Sequence, residues 1–177
     1  MKEDKVLILQ TQIGDLKIEF EDGVLTYCKW MEKESENLLK NKNIVFLSME
    51  TIQQMNIKDK DKLLLKTVLI QFAEFFSGIR KYFNIPFKFK GTDFQNKIWK
   101  TISEIPYGET LSYSLLAKKI GNPKSVRAVA NACGANPICI LVPCHRIIGS
   151  NGYLGGYTGG IEKKIKLLEL ERKQIKR

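Results

Sequence analysis

Three apolar segments, separated by turn residues, occupy the first thirty positions and predict a meander of β-strands. They cover residues 6–10, 16–20 and 24–30. Asp22 and Gly23 lie between the second and third segments, and this pair favours a two-residue hairpin turn. Another apolar segment, residues 43–49, predicts a further strand. The N-terminal sheet is therefore expected to be small and antiparallel.

The spacing of apolar positions changes to the period of an α-helix in the next segment. Asp59 is a candidate N-cap, Gly78 is a candidate stop, and the apolar residues between them recur every three or four positions. Residues 79–91 break this pattern with a proline and end in glycine. We therefore expect an α/β domain over residues 1–88 and a second domain over residues 91–177.

The second domain is predicted to be mostly helical. Thr92 or Asp93 is the expected cap of its first helix, and Ser112 caps the next. A third helix is expected to begin at Asn122, with Pro123 at its first position. The tight turn between the last two helices favours a helix-turn-helix, although such pairs also occur in helical domains that bind no nucleic acid.

An extended apolar segment with a polar triplet inside it follows the helices. The triplet is Cys144-His145-Arg146, and a glycine-rich loop comes directly after the segment. A last helix is expected to begin near Ile161, with Ile161, Ile165 and Leu168 on one apolar face and its end near residues 169–171.

The net charge of +10 is unevenly distributed. Residues 1–90 hold 15 Lys and Arg against 13 Asp and Glu, whereas residues 91–177 hold 14 against 6. The basic surplus of the second half suits an acidic partner such as nucleic acid, and it equally suits a solvated lysine-rich surface. No apolar stretch is long enough to span a membrane, and the N-terminus does not read as a secretory signal, so we expect a cytoplasmic protein, or a nuclear one in a eukaryote.

Four cysteines and a single histidine carry the candidate chemistry. The cysteines are Cys28, Cys133, Cys139 and Cys144, without a CxxC pair, which makes structural zinc improbable and free thiols expected. A cysteine is a good nucleophile only as thiolate, and the one imidazole, His145, lies next to Cys144. A regular strand would point the two side chains to opposite faces, so contact needs a turn or a bridging water. Pro143 makes a turn credible, but a buried unreactive cysteine is also open.

The residues around this pair resemble the O6-alkylguanine-DNA alkyltransferase family, also called methylated-DNA–protein-cysteine methyltransferases. The resemblance rests on VPCHRII, GTDFQNKIWKTISEIPYGET, SYSLLAKKIGNPKSVRAVANACGANP and GYTGGIEKKIKLLELE. These motifs cover residues 91–171 with the family's spacing. Residues 1–88 resemble the family only in the order of their elements.

The resemblance implies five catalytic residues. Cys144 would be the nucleophile and alkyl acceptor, His145 would accept its proton through a water, and Glu171 would orient His145. Asn136 would shape the bend before the cysteine loop, and Tyr113 would protonate the guanine ring as it leaves.

The resemblance also implies contacts with substrate and DNA. The backbone at Cys144 and Ile147 would read the guanine amino group, and Thr158 would donate a hydrogen bond to O6. Arg127 would enter the duplex and fill the gap left by the flipped base. Further DNA contacts would come from Tyr113, Ser114, Asn122, Lys124 and Ser150.

The implied fold is α+β. A ribonuclease H-like N-terminal sheet and helix would precede a winged helix-turn-helix-like domain. The implied activity is irreversible transfer of an alkyl group from O6-alkylguanine in double-stranded DNA to Cys144, by a monomer that needs neither metal nor cofactor; O4-alkylthymine is a further candidate substrate. Three other functions stay open from the residues alone: a non-catalytic binder of alkylated DNA, a transcription regulator and a thiol hydrolase.

Overall fold

Two compact units make up the computed structural model, residues 1–88 and residues 89–177. The structure describes residues 5–31, 45–46 and 60–175. The predicted cap at Asp59 lies outside these residues. Within them, no helix is long and apolar enough to cross a membrane.

The first unit contains a sheet whose strand order is β3-β2-β1-β4. Its strands are β1 (Lys5–Gln10), β2 (Asp15–Glu21), β3 (Val24–Trp30) and β4 (Val45–Phe46). The meander β1–β3 is antiparallel, as its pattern predicts. β4 differs because it pairs parallel with β1, so the sheet is mixed at this edge. Of the strand expected at 43–49, the described part is β4.

The hairpin between β2 and β3 has the predicted two-residue turn. Asp22 and Gly23 both have positive φ, 50° and 78°, the combination that a type I′ turn requires. Asp tolerates this conformation and Gly adopts it without a steric penalty, so the local sequence fixes the register of the hairpin.

A long helix accompanies the sheet in the described part of the first unit. This helix, α1 (Lys60–Phe76), buries an apolar stripe of Val68, Leu69, Phe72, Phe75 and Phe76. The rings of Phe72 and Phe75 lie 5.0 and 5.3 Å from that of Phe83. Gly78, with φ 77°, follows the helix end as predicted. Aromatic packing of this kind dominates the energy of a small core.

The second unit has four helices in its described residues. They are α2 (Asp93–Ser103), α3 (Tyr113–Lys119), α4 (Val126–Gly134) and α5 (Ile161–Ile175). Thr92 caps α2 in a reciprocal capping box with Gln95, and Ser112 caps α3 by accepting from the N–H of Leu115 at 3.2 Å. Both helix starts are therefore as the sequence predicts.

The predicted start of α4 is wrong. Asn122 does not cap the helix, which begins four residues later at Val126 with Ser125 in the cap position. The carbonyl of Asn122 instead accepts hydrogen bonds from the N–H and the hydroxyl of Ser125, at 3.0 and 2.7 Å. These bonds close a turn over residues 122–125, and Pro123 lies in that turn.

The predicted apolar face of α5 is confirmed at Leu168 and wrong at its other two positions. Ile161 and Ile165 are exposed, and the helix buries Lys164, Leu167 and Glu171 together with Leu168. The helix also continues to Ile175. Two of the four buried positions carry charged side chains, so a search for apolar residues assigns the wrong stripe.

A two-stranded parallel pair brings α3 close to the cysteine segment. β5 (Leu111–Ser112) pairs with β6 (Ile147–Ile148), immediately before Tyr113 on one strand and after Cys144 on the other.

Trp99 of α2 donates from Nε1 to the carbonyl of Ala132 on α4 at 2.8 Å. A Cβ at Gly91 would overlap the indole ring of Trp99, so only glycine fits there.

Candidate active site

Asn136 organises the loop between α4 and Cys144. Its side chain is 3% exposed and makes three hydrogen bonds. Nδ2 donates to the carbonyl of Val142 at 2.8 Å and to Sγ of Cys144 at 3.1 Å, while Oδ1 accepts from the N–H of Ile138 at 3.0 Å. One amide thus fixes the bend and reaches the sulfur.

The same loop contains a strained residue. Ile140 has φ 75°, and the N–H of Leu141 bonds to the carbonyl of Cys139 across it at 3.0 Å. A β-branched residue in this γ-turn is unfavourable by about 1–3 kcal/mol. The turn precedes Val142, whose carbonyl accepts from both Asn136 and the N–H of Cys144.

Cys144 begins a 3-10 turn that continues through Arg146. The turn follows Pro143, and it replaces the extended backbone that would have separated Cys144 from His145. Burial raises the pKa of the Cys144 thiol to about 12, against the favourable hydrogen bond from Asn136. The resting side chain is a thiol, so a base must take its proton before it can act as a nucleophile.

His145 is a buried base with a fixed tautomer. Its side chain is fully buried, and Nε2 lies 2.9 Å from Oε1 of Glu171. Because a carboxylate only accepts hydrogen bonds, Nε2 carries the proton and Nδ1 keeps its lone pair. Burial lowers the pKa of His145, against the opposing effect of Glu171, and the ring is neutral at rest.

Glu171 is fully buried, and its carboxylate accepts hydrogen bonds from three residues, one of which is His145. Arg146 donates to it through Nε and a terminal nitrogen, the shortest bond being 2.8 Å, and the N–H of Gly108 donates at 3.0 Å. Burial raises the pKa of Glu171, but the hydrogen bonds and charges of His145 and Arg146 outweigh burial and lower it to about 2. Glu171 is therefore ionised, and it favours a positive charge on His145.

Arg146 is held as firmly as the carboxylate it pairs with. Its other terminal nitrogen donates to the carbonyl of Ile105 at 2.5 Å, and its guanidinium lies over the ring of Tyr107, 5.6 Å from the centroid. Such a buried pair needs this many partners to offset the cost of removing two charges from water.

Tyr113 packs against the glycine-rich loop. A Cβ added to Gly155 would lie 3.2 Å from the tyrosine hydroxyl, and Gly155 has φ 65°. Burial raises the pKa of Tyr113, and the thiols of Cys133 and Cys144 act in the same direction. The phenol therefore keeps its proton, and the charge on Tyr113 is coupled to the sulfur of Cys144.

Thr158 ties the same loop to α4. Its hydroxyl donates to the carbonyl of Gly134, the last residue of the helix, at 2.7 Å. A hydrogen bond to O6 of a bound guanine would require this hydroxyl to exchange its partner.

Ile147 is buried, its N–H bonds to the carbonyl of Cys144, and its own carbonyl accepts from Lys164 at 2.6 Å.

The outer face of α4 is basic at its start and small along its length. Lys124 is exposed in the turn just before α4 and Arg127 is exposed in its first turn, and Ala128 and Asn131 continue the exposed face to Ala135 at the helix end. Val129, Ala132 and Cys133 form the buried face. Asn122 and Ser150 are exposed, whereas Ser114 is half-buried and shares a 3.0 Å hydrogen bond with Ser112.

Comparison with known proteins decides the family. The protein-family model described as 6-O-methylguanine DNA methyltransferase, DNA binding domain, matches residues 93–173. A probable methylated-DNA–protein-cysteine methyltransferase of Acanthamoeba polyphaga mimivirus is 44% identical over 170 residues, which is 96% of this chain and 97% of that relative. The chain belongs to the methylated-DNA–protein-cysteine methyltransferase family.

Solved structures of this family share the α+β fold. The O6-methylguanine methyltransferase of Mycobacterium tuberculosis has a TM-score of 0.77 at 34% identity, covering 97% of this chain and 94% of that one. The OGT of the same organism in complex with DNA has a TM-score of 0.77 at 36% identity, covering 96% and 93%.

The methyltransferase resemblance identifies four residues that the structure joins by hydrogen bonds in two pairs. Asn136 contacts Cys144, and His145 contacts Glu171. Within the described residues, no hydrogen bond joins Sγ of Cys144 directly to His145, and Nδ1 of His145 is buried without a protein partner. Tyr113 is linked to this group through electrostatics, since Cys144 raises its pKa in the same direction as burial does.

Two charged residues of the site were missed as functional residues. Arg146 is visible in the CHR triplet, but its partner is 25 residues away, and no local pattern indicates the pairing. Lys164 is buried on α5, where a lysine is ordinarily assigned to a solvated face. In the part of the chain that the structure describes, no three Cys, His, Asp or Glu side chains are arranged to hold a metal ion.

Proposed function

We propose that this protein repairs DNA by transferring a methyl or larger alkyl group from O6 of guanine to Cys144, once and irreversibly. The observation that carries the proposal is a buried thiol beside a fixed Asn136 amide, followed in sequence by a His145–Glu171 pair. This arrangement occurs in a chain whose curated relatives are named methylated-DNA–protein-cysteine methyltransferases.

The first step is proton removal from Cys144. A water between Sγ and Nδ1 of His145 relays the proton to the lone pair that the tautomer leaves there. Glu171 then stabilises the imidazolium, because it is already ionised and bonded to Nε2. This is the logic of a nucleophile, a base and an orienting carboxylate, with a water inserted between the first two.

The second step is a single in-line displacement. The bond from Sγ to the alkyl carbon forms as the bond from that carbon to O6 breaks, and the electron pair passes to guanine. Tyr113 donates a proton to the guanine ring, and Thr158 and the backbone at Ile147 and Cys144 bind the base. Donors at the positions where negative charge develops lower the barrier.

The product explains why one molecule acts once. A thioether is not cleaved by water, and the chemistry proposed for Cys144 contains no group that would return the thiol. The same feature separates this activity from a thiol hydrolase, which must release its covalent intermediate.

Residues 91–177 form the proposed alkyltransferase and DNA-binding domain, with a winged helix-turn-helix-like arrangement of α3 and α4. The small exposed face of α4 lets the helix approach a groove closely, and Lys124 adds positive charge in the turn just before the helix. Ser114, Asn122 and Ser150 are the further proposed DNA contacts. A solved relative is in complex with DNA, which supports DNA as the partner.

Arg127 is the proposed wedge. The O6 alkyl group lies within the base stack, so the damaged nucleotide must rotate out, which costs about a few kcal/mol. Arg127 is exposed on α4 and can enter the space left in the duplex, where its planar guanidinium stacks on neighbouring bases.

Residues 1–88 form the proposed ribonuclease H-like domain. We also propose a reducing compartment such as the cytoplasm. All four cysteines are free thiols, and the nucleophile must stay reduced to act.

The test is the intact mass of the protein after incubation with a duplex that contains O6-methylguanine. The unaltered protein should gain the mass of one methyl substituent in place of a thiol hydrogen. Cys139→Ser and Cys133→Ser should gain it too, and Cys144→Ser should not while still binding the duplex. A binder, a regulator or a hydrolase would leave the mass of every variant unchanged.

A further inference from the structure

Lys164 is a buried cation that the proposed mechanism leaves without a task. Its side chain is fully buried on the inner face of α5. Among the described residues, no carboxylate forms an ion pair with it. A lysine is almost never fully buried without a counter-ion, so this position requires a reason.

Two backbone carbonyls hold the ammonium in place. Nζ donates to the carbonyl of Ile147 at 2.6 Å and, by a short hydrogen bond, to the carbonyl of Leu154. The N–H of Ile147 in turn bonds to the carbonyl of Cys144. Lys164 therefore connects the end of the cysteine turn to the glycine-rich loop that packs on Tyr113.

The charges of the site are distributed so that Lys164 complements the reaction. The titratable groups around Cys144 are Tyr113 of α3, Cys133 of α4, Cys139 of the preceding loop, and Lys164. Around His145 they are Glu171, Arg146 and Lys164. Lys164 is thus a cation whose charge favours the Cys144 thiolate, although it also lowers the pKa of His145, and Glu171 is the anion that is bonded to the imidazole.

Proton transfer creates one new charge at each end of this array. The imidazolium forms against ionised Glu171. We propose that Lys164 is a positioning residue that supplies the matching fixed charge for the Cys144 thiolate and holds the loop over it. Because the ammonium is already oriented by two carbonyls, little reorganisation is needed when the thiolate forms.

Electrostatic linkage gives this inference its physical content. Burial lowers the pKa of Lys164, while Cys144 and Cys133 favour its charged form. Linkage is reciprocal, so the ammonium favours the thiolate by the same free energy with which the thiolate favours the ammonium. Removal of the charge must move thiolate formation to higher pH.

The test uses free O6-benzylguanine with the full-length protein, so that DNA binding does not enter, and it rests on the proposed function. The single-turnover rate is measured against pH for Lys164→Gln and Lys164→Met. Both should move the rising limb of the profile upward by about one pH unit or more, which is about tenfold in rate at neutral pH. The deficit should shrink as the pH rises.

Two variants control for charge and structure. Lys166→Gln removes the same charge from an exposed position on the same helix and should leave the profile unchanged. Lys164→Arg keeps the charge and should keep the midpoint of the profile even if its rate falls. An equal loss of rate at every pH in the neutral variants, or an unchanged midpoint, would overturn the inference.

A measurement on the unaltered sequence covers the case in which the neutral variants do not fold. In protein labelled with ¹⁵N-lysine, the Nζ resonance of Lys164, assigned with Lys164→Arg, reports the pH at which the ammonium loses its proton. The single-turnover rate of the unaltered protein should fall over that pH range, because the charge that favours the thiolate is lost there. A rate that does not change over that range would overturn the inference. Absence of any alkylation of the unaltered protein would instead sink the proposed function.

Discussion

The two units of the molecule bury different kinds of side chain. The described core of residues 1–88 is aliphatic and aromatic, and its buried polar residues are Thr26 and Gln71. The core of residues 89–177 contains Asn136, His145, Arg146, Lys164 and Glu171. The first unit is stabilised by the removal of apolar surface from water. The second unit also encloses polar and charged side chains, whose burial is unfavourable unless they are hydrogen-bonded or paired.

This difference separates stability from chemistry. Apolar side chains contribute free energy without direction, whereas each buried charge needs partners at defined distances. The polar network of the second unit extends from the thiol to α5, and a site built in this way is pre-organised for the charges of the reaction. Substitutions in the two units should therefore fail in different ways.

Glu171→Gln should have the largest effect. It leaves Arg146 buried without a counter-charge and removes the group that stabilises the imidazolium. We expect a loss of about 3–5 kcal/mol in the free energy of unfolding and near-complete loss of alkyl transfer. Denaturant unfolding and the single-turnover rate measure the two. A variant with the unaltered rate would contradict the role of Glu171.

Phe75→Ala should lower the free energy of unfolding by as much as Glu171→Gln does, without a change in the rate of alkyl transfer. Truncation of a fully buried phenylalanine typically lowers the free energy of unfolding by about 3–5 kcal/mol. At a temperature where the variant stays folded, its pH–rate profile with O6-benzylguanine should match that of the unaltered protein. A displaced midpoint would show that the aromatic core affects the charged one.

Acid should destabilise the second unit through Glu171. The pKa of this carboxyl falls from 4.5 in the unfolded chain to about 2 in the folded one, so its contribution is present above pH 4.5 and is lost as the pH falls towards 2. The loss is roughly 3 kcal/mol. Unfolding measured from pH 5 to pH 2 should show it in the unaltered protein, and Glu171→Gln, which has no such group, should show a flatter dependence.

Arg127→Ala should have the smallest effect on the protein and a selective effect on repair. The side chain is exposed, so the free energy of unfolding should stay within about 0.5 kcal/mol. Repair of a duplex should slow by about tenfold, while reaction with free O6-benzylguanine stays the same, because only the duplex must be opened. An equal slowing on both would argue against the wedge.

The parts of the fold that are set locally could be predicted from the sequence. The Asp22–Gly23 turn depends on the positive φ that these two residues adopt. The caps at Thr92 and Ser112 depend on side chains that bond the backbone three residues away. The resemblance added the residues of the site, since Cys144 and Glu171 are far apart in sequence and no periodicity connects them.

The failures have a common physical origin in contacts that are distant in sequence. Lys164 is buried because two backbone carbonyls of other segments accept hydrogen bonds from its ammonium group. The apolar pattern of α5 contains no sign of these partners, and it indicates Ile161 and Ile165 as the buried positions, which are exposed. Asn122 is a good cap by composition, but its carbonyl bonds to Ser125 and closes a turn. Propensity and periodicity contain no information about such partners.

The location of the transferred group tests the central claim most directly. After reaction with a duplex carrying an isotopically labelled O6-methyl group, trypsin should release one peptide, residues 128–146, that holds Cys133, Cys139 and Cys144 together. Its fragment ions distinguish the three sulfurs. We expect the label on Cys144 alone, and a label on either neighbour, or on none of the three, would contradict alkyl transfer to Cys144.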